Sequence, residues 1–221
     1  RFVFATLTQL GLRPAKGVRT RPRLLEIGAV TRTLLKCSWL DVTAIDIQSQ
    51  EPDIREIDFF DFADAEPYDA AVCAMVLNCV PTAAARGRML LKARQHLRDG
   101  AYLFVMLPRR CLFASPHLTE AEFLALCGAM GFRVRAQKAS PKILYYCLHL
   151  ETRVPLSEVT APGRNSRRGK RFKKKGADVC DFDVLLPDAE GLEAAVDPNP
   201  APNPNPNPNP NPNPNPNPNP N

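Results

Sequence analysis

The amino-acid sequence predicts an α/β fold whose central sheet is doubly wound and mostly parallel. Apolar segments of strand length alternate with segments of helical periodicity, the order that builds parallel sheets. Two strand-like segments, residues 133–139 and 143–150, then follow each other around Ser140-Pro141 with no helix between them. Such a pair forms a hairpin, so we expect an antiparallel C-terminal edge strand in this sheet.

A βαβ unit is expected at the start of the sheet. Residues 23–28 are an apolar strand that ends at a glycine turn. Apolar side chains recur at helical spacing in residues 30–39, which predicts a helix, and residues 41–47 predict the second strand. A third, short strand is expected within residues 54–60.

The centre of the sheet is expected at residues 68–77, a nearly unbroken apolar run of the kind that a strand buried on both faces requires. Residues 83–97 predict the helix that follows. Gly100 should end this helix, and residues 101–107 predict the fifth strand.

The last helix has a specific start signal. Thr119 and Glu122 have the spacing of a capping box, in which each side chain bonds the backbone of the other residue. They predict a helix over residues 120–130, followed by Gly131 and the hairpin.

Composition divides the chain into four parts. The folded domain should occupy residues 23–150. An N-terminal segment, residues 1–22, precedes it, and we expect this segment to be truncated because the chain begins at Arg1 rather than Met. Residues 151–196 form a basic extension. Residues 197–221 are almost entirely alternating Pro and Asn, which predicts an extended, disordered tail.

The positive charge of the chain is concentrated in one run within the basic extension. The formal net charge is +6, but without the eight basic residues of this run, 21 basic residues (29 less these eight) face 23 acidic ones. The basic run consists of Arg164, Arg167, Arg168, Lys170, Arg171, Lys173, Lys174 and Lys175. Such a run is suited to binding a polyanion or a nuclear import receptor. From charge alone, a solvated linker explains it equally well.

The cysteines and histidines do not indicate metal or disulfide chemistry. The seven cysteines include no CxxC pair, most of them lie in apolar runs, and the three histidines have no metal-ligand spacing. We therefore expect a reducing compartment and no bound metal. Because no apolar stretch reaches the length of a membrane span, we expect no membrane partner.

The best-defined candidate site runs from Gly28 to Asp46, which end the first two predicted strands. Glycine lets the backbone approach a ligand, and a carboxylate after the second strand can accept hydrogen bonds from both ribose hydroxyls of an adenosine cofactor. The segment lacks the further glycines of GxGxxG, so a dinucleotide pyrophosphate has little support. S-adenosylmethionine fits better, and Glu26, Asp46 and Asp58 would surround its cationic sulfonium with negative charge.

Two further groups follow the third and fourth predicted strands. Asp58 can accept from the adenine amino group while the ring of Phe59 packs on the adenine face. Phe59, Phe60 and Phe62 can also be core residues, which we favour for at least two of the three. Asn78 follows the central strand, where its amide can hold the edge of an acceptor adenine. Capping of the next helix is the alternative role for Asn78.

Six segments, read in order, resemble one known family. They are LLEIGAV (residues 24–30), WLDVTAIDI (39–47), IDFFDF (57–62), VCAMVLNCVPT (72–82), RGRML (86–90) and LPRRCL (107–112), with a weaker echo in DFDV (181–184). Over about residues 23–150, the chain resembles the fungal-type base methyltransferases that make N(1)-methyladenosine in the 25S ribosomal RNA of the large subunit. The common order of several segments makes the resemblance specific.

The resemblance implies a class I (Rossmann-like) methyltransferase fold with S-adenosylmethionine as the methyl donor. It also implies that the acceptor is large-subunit ribosomal RNA, free or in the pre-ribosome, and that the protein acts in the nucleus, within the nucleolus. Gly28 and Asp46 match the family's cofactor contacts. In such an enzyme, Asn78 and a group near Pro108 would hold a flipped adenosine, and the lone pair on N(1) makes positioning matter more than a strong base.

Two alternatives to this enzyme remain open from the sequence. An animal branch that resembles the same family is a non-catalytic S-adenosylmethionine sensor in nutrient signalling, so the chain could instead control a protein partner. The second alternative is a methyltransferase that acts on a small molecule or a protein.

Overall fold

The computed structural model describes residues 1–163 and 180–187, which build a seven-stranded sheet with helices on both faces. In chain order the elements are α1 (Phe2–Gln9), β1 (Arg23–Ile27), β2 (Asp41–Asp46), β3 (Arg55–Glu56), β4 (Tyr68–Ala74), α2 (Ala83–Gln95), β5 (Leu97–Pro108), α3 (Arg110–Phe113), α4 (Glu120–Ala129), β6 (Phe132–Ala139), β7 (Ile143–Leu150) and a 3-10 turn (Leu156–Glu158). The basic run and the Asn-Pro tail lie outside the described residues.

The sheet has the strand order β3-β2-β1-β4-β5-β7-β6. The strands from β3 to β5 are parallel, whereas β7 pairs antiparallel with both β5 and β6. This arrangement confirms the predicted doubly wound, mostly parallel sheet, with the antiparallel pairing at the end that the C-terminal hairpin occupies. The chain moves outward from β1 on one side and from β4 on the other, so the topological switch point lies between these two strands.

Different parts of the chain bury the two faces of the sheet. Ile27 of β1 packs on the face covered by α2 and α4, together with Leu90 and Phe123. Leu24 points to the other face, where α1 covers it through Leu7. Successive residues of a strand face opposite sides of the sheet, so β1 contributes to both halves of the core.

The segment that follows β1 differs from the prediction. Residues 30–39 form a short series of turns and not the predicted helix. Val30, which the helical spacing grouped with the apolar residues of the segment, is 82% exposed. The hydroxyls of Thr31 and Thr33 lie 2.9 Å apart and bond each other. Threonine disfavours a helix because it is β-branched and offers the chain local hydrogen bonds, and the apolar pattern was too short to overcome this.

β3 and β4 are both shorter than predicted. Only two of residues 54–60 pair as strand, because Asp58 Oδ1 accepts the backbone N–H of Phe60 at 2.8 Å and begins a turn. β4 ends early, at Ala74, since Met75 has a left-handed backbone with a φ of 63°. Non-glycine residues with this backbone are uncommon and cluster at ligand sites.

β5 begins earlier than predicted, directly after α2. Gly100, which was predicted to end the helix, lies inside β5 with a φ of +75°. The pairing of β5 with β4 changes register near this point. Because glycine adopts this φ without strain, Gly100 lets the strand accommodate an irregularity, and α2 ends at Gln95 instead.

The predicted capping box and hairpin are confirmed. Thr119 Oγ1 accepts the backbone N–H of Glu122 at 3.2 Å, and Glu122 Oε2 accepts the backbone N–H of Thr119 at 3.0 Å. At the hairpin turn, the backbone N–H of Ser140 donates to the Ile143 carbonyl at 2.8 Å. These local hydrogen bonds fix the start of α4 and the connection from β6 to β7.

Residues 180–187, termed the C-terminal segment, pack beside α2. Phe182 and Val184 are buried in the main core, which is the core on the face of the sheet covered by α2 and α4. Arg86 of α2 donates to the Asp183 carbonyl at 2.9 Å, and its guanidinium carbon lies 4.7 Å from the centroid of the Phe182 ring. The C-terminal segment is therefore part of the folded unit.

Gly87 provides the space in which the C-terminal segment packs against α2. A Cβ at this position would lie 1.9 Å from the backbone oxygen of Leu185. We expect Gly87→Ala to destabilise the protein by roughly 1–3 kcal/mol, the usual cost of overpacking, and thermal denaturation measures this. Gly128→Ala in α4 is the matched control, because its Cβ would meet nothing within 4 Å. Equal melting temperatures for the two variants would contradict the expected clash.

Candidate functional site

A cavity of about 380 Å³ lies at the carboxyl ends of β1, β2 and β4, beside the switch point. Four residues that the sequence predicts for the cofactor site line it, namely Gly28, Asp46, Asp58 and Phe59. Apolar groups from the same strand ends complete much of the wall, including Ile27, Ile45, Ile57, Met75 and Val76. The volume falls within the range of roughly 300–1,000 Å³ that is typical of small-molecule sites.

Gly28 forms the turn at the end of β1 under two constraints. Its φ is +75°, and a Cβ at this position would lie 2.1 Å from Val76 Cγ2. The backbone N–H groups of Gly28 and Ala29 both donate to the Ile45 carbonyl at 2.9 Å. The turn therefore fits closely between the ends of β2 and β4, where a side chain would intrude.

Asp46 is held by the loop that follows β2. Its Oδ1 accepts the backbone N–H of Gln48 at 2.8 Å, and its carbonyl accepts the N–H of Ile57 at 2.8 Å. Within the described part of the chain, Oδ2 has no hydrogen-bond partner. Asp46 thus has one oxygen that fixes its orientation and another that can accept from a ligand in the cavity.

Asp58, Phe59 and Phe60 line the cavity, and Phe62 is not among the lining residues. Phe59 and Phe62 are buried in the main core, and Phe60 is partly buried against it. Two of the three rings therefore have the core role that we favoured, while Phe59 and Phe60 also line the cavity. The backbone N–H of Phe60 donates to Asp58 Oδ1 at 2.8 Å and thereby fixes the orientation of this carboxylate.

Glu26, which was predicted as a cofactor-binding residue, is not among the residues that line the cavity. The reason is the alternation of side chains along a strand: Ile27 faces the cavity, so its neighbour Glu26 points to the other face of β1. Burial raises the pKa of the Glu26 carboxyl to about 7. Its Oε2 has no hydrogen-bond partner among the described residues.

The raised pKa of Glu26 makes stability depend on pH. The folded protein holds this proton up to about pH 7, whereas an unfolded chain releases it near 4.5, so the contribution of Glu26 to stability falls as pH rises from 4.5 through 7. Without cofactor, we expect Glu26→Gln to raise the melting temperature at pH 8 and to have little effect at pH 5. Glu51→Gln at an exposed position is the control. A gain of the same size at both pH values would contradict this linkage.

Asn78 lies beside the cavity and is not among its lining residues. Its Nδ2 contacts Cys79 Sγ at 3.4 Å, and its Oδ1 is buried without a partner in the described residues. The alternative role as a helix cap is wrong, because Thr82 Oγ1 caps α2 by accepting the backbone N–H of Ala85 at 3.1 Å. Asn78 therefore has hydrogen-bonding capacity that the fold does not use.

Met75 was not predicted as a site residue. It follows β4 with a left-handed backbone, and its N–H donates to the Met106 carbonyl at 3.0 Å. It lines the cavity and is 38% exposed. A methionine gives no sequence signal for a positive φ, since that conformation depends on the surrounding packing.

Another cavity, of about 700 Å³, lies near the amino ends of β1 and β2. The described residues of its lining include Arg13, Lys16, Arg19, Arg21 and Trp39 and no carboxylate. Parallel sheets bind ligands at the opposite, carboxyl ends of their strands. We therefore assign the smaller, acidic cavity as the candidate site.

Within residues 1–163 and 180–187, no group of three or more His, Cys, Asp or Glu side chains is placed to hold a metal ion. The same residues contain no helix with the length and apolar character of a membrane span. The predicted RNA-binding residues of the basic run lie outside this part of the structure, so their role remains a prediction.

The fold resembles that of a solved methyltransferase. A Burkholderia thailandensis 1,6-didemethyltoxoflavin-N1-methyltransferase, solved with 1,6-didemethyltoxoflavin and S-adenosylhomocysteine, superposes with a TM-score of 0.50. It is 15% identical, and the alignment covers 66% of this chain and 75% of that one. At this identity the similarity concerns the fold alone.

Two curated relatives are similar in sequence. The 25S rRNA adenine-N(1) methyltransferase of Schizosaccharomyces pombe is 31% identical over 144 residues, 62% of this chain and 53% of the relative. The 25S rRNA (adenine(2142)-N(1))-methyltransferase of Saccharomyces cerevisiae is 29% identical over 170 residues, 73% of this chain and 48% of the relative. The chain thus spans about half the length of the curated relatives it matches.

A protein-family model matches residues 1–182, which include α1 and the start of the C-terminal segment as well as the whole sheet. Its description is "25S rRNA (adenine(2142)-N(1))-methyltransferase, Bmt2". The match confirms the resemblance found in the six sequence segments. The chain therefore belongs to the Bmt2 family.

Proposed function

We propose that this protein transfers a methyl group from S-adenosylmethionine to N(1) of an adenine in large-subunit (25S) ribosomal RNA. The observation that carries the proposal is the acidic cavity at the strand ends, in a chain that belongs to the Bmt2 family. The proposal extends to the pre-ribosome as the physiological substrate and to the nucleolus as the place of action. The basic run supports both extensions, because it suits a polyanion or a nuclear import receptor.

The described residues of the cavity fit a cationic adenosine cofactor. Asp46 and Asp58 supply negative charge, and no Lys, Arg or His lines the cavity within residues 1–163 and 180–187. Asp46 Oδ2 could accept from the ribose, and Ile45, Ile57 and Phe59 offer an apolar surface for the adenine. When bound, the cofactor would supply an electrophilic methyl group on its sulfonium.

Positioning is the main task that the chain would perform on the acceptor. The adenine N(1) atom has a lone pair and needs no general base before it attacks, so correct placement supplies much of the rate enhancement. The base must leave its stack to reach a cavity of this kind. Asn78 is proposed to hold the adenine edge, because its amide is placed after β4 and its Oδ1 lacks a partner within the described residues.

The basic run is proposed to bind RNA phosphates. Deleting residues 164–175 should weaken RNA binding and reduce its dependence on salt. The slope of log K against log salt concentration should fall in magnitude by about 0.7 for each phosphate that the run neutralises. Cofactor affinity should stay the same, because the cavity lies among residues 27–89. Deleting residues 197–221, which carry no basic side chain, is the control. RNA affinity that survives the first deletion unchanged would remove this role.

The proposed function can be tested with methyl-labelled cofactor and unmodified large-subunit ribosomal RNA. Label should enter the RNA, and nucleoside digestion should recover it as N(1)-methyladenosine. Cofactor binding without transfer to this RNA would instead support a sensor. Labelled product that survives ribonuclease would indicate a protein or small-molecule acceptor.

A further inference from the structure

A second recess, of about 610 Å³, adjoins the candidate cofactor cavity. Met75 lines both, so it lies at their common border. The recess lies where β5 ends at Pro108 and β7 begins at Ile143, residues that pair directly in the sheet. We call it the β5–β7 recess. A group held there would lie next to whatever occupies the cofactor cavity.

Local contacts hold the walls of the β5–β7 recess together. The backbone N–H of Arg109 donates to the Lys142 carbonyl at 2.7 Å, which joins the end of β5 to the hairpin turn. The guanidinium carbon of Arg109 lies 4.2 Å from the ring centroid of Phe113. Phe113 is 49% exposed, although large aromatic side chains are usually covered. The stacked Arg109–Phe113 pair thus presents planar, accessible surface at the recess.

The two neighbouring sites have opposite charge. Arg109, Arg110 and Lys142 line the β5–β7 recess, and no acidic residue is among the described residues that line it. Asp46 and Asp58 line the cofactor cavity, and the described part of its lining contains no basic residue. A cationic ligand is favoured in the cavity and an anionic one in the recess. This distribution of charge suits a cationic methyl donor in the cavity and a polyanionic acceptor in the recess.

We propose that the β5–β7 recess receives the target adenine of the RNA. The base packs against the Arg109–Phe113 pair, and Arg109 and Lys142 contact the phosphates on either side of it. Aromatic rings and guanidinium planes are the surfaces on which unstacked RNA bases are held. The edge of the base extends past Met75, which lines both sites, into the cofactor cavity. This assignment rests on the proposed function and specifies where the target adenine of the RNA binds.

The test compares variants of the full chain in methyl transfer from labelled S-adenosylmethionine to a large-subunit ribosomal RNA transcript. Phe113→Leu should lower kcat/KM for this RNA on the order of tenfold, because leucine has no ring on which the base can stack, and Phe113→Trp should restore most of it. Arg109→Gln and Lys142→Gln should each raise KM for the RNA and reduce its salt dependence. Cofactor Kd should be unchanged in all four variants, which also reports that they are folded.

Arg133→Gln is the control. Arg133 is exposed, pairs with Glu151 and lies at the start of β6, the end of this strand that is far from the recess. Normal transfer by Phe113→Leu and Arg109→Gln would overturn the recess assignment and leave the proposed function intact. A loss in Phe113→Leu that Phe113→Trp does not restore would also overturn it. If the unmodified chain transfers no label to RNA, the proposed function fails and the assignment fails with it.

Discussion

Replacing Gly28 by Ala should weaken the binding of S-adenosylmethionine by at least about tenfold, which corresponds to 1.4 kcal/mol. A left-handed backbone costs a residue with a Cβ roughly 1–2 kcal/mol, and the φ of Gly28 is +75°. The new Cβ would also lie 2.1 Å from Val76 Cγ2, so the end of β1 or the loop after β4 must move. Both line the cavity, and isothermal titration with the cofactor measures the change.

Two further variants separate the causes of this weaker binding. Gly100→Ala introduces a Cβ at the same φ of +75° but meets nothing within 4 Å, so it should affect stability alone. Gly28→Ala combined with Val76→Ala removes the clash and keeps the backbone strain, so it should recover part of the affinity. Full affinity in Gly28→Ala would show that the cofactor does not bind near this turn.

Replacing Asp46 by Ala should weaken cofactor binding by about 30-fold, equivalent to about 2 kcal/mol for the removal of a carboxylate that accepts from the ribose. The substitution also removes the acceptor for Gln48 N–H, which holds the loop after β2. Equilibrium titration of labelled cofactor provides the measurement, and circular dichroism verifies that the fold is retained.

Asp46→Asn distinguishes the two roles of this carboxylate. The amide oxygen can still accept from Gln48, but the side chain loses its charge and one acceptor, so an intermediate affinity is expected. Asp41→Ala is the matched control, because Asp41 is an exposed residue at the opposite end of β2. If Asp46→Ala binds cofactor normally, the pocket is assigned wrongly.

The buried strands were predictable because their apolar runs leave few alternatives. β4 is the middle strand of the seven-stranded sheet, pairs in parallel with β1 and β5, and is covered on both faces, as its unbroken apolar sequence requires. The turn region after β1 was not predictable, since residues 30–39 contain only a short apolar pattern and two hydrogen-bonded threonines. Gly100 was assigned to the wrong element because a positive φ serves a helix end and a strand irregularity equally well.

The site was partly predictable for a topological reason. Gly28, Asp46, Asp58 and Phe59 follow successive strands, whose carboxyl ends meet at one edge of a parallel sheet. Glu26 was predicted from its charge, and the strand alternation keeps it out of the cavity lining, so its role toward the cofactor stays a prediction. The β5–β7 recess could not be predicted without the pairing of Pro108 with Ile143, which is a property of the folded sheet.

The C-terminal segment brings residues that lie far along the sequence into the core of the described structure. Phe182 and Val184 complete a core otherwise built by residues before 163, and the basic run is inserted between the two parts. A protease that cuts between residues 163 and 180 would therefore produce two fragments that remain associated through buried contacts. A shortened chain that stops before residue 180 would expose the apolar surface beneath Phe182 and leave the Arg86 guanidinium without the Asp183 carbonyl.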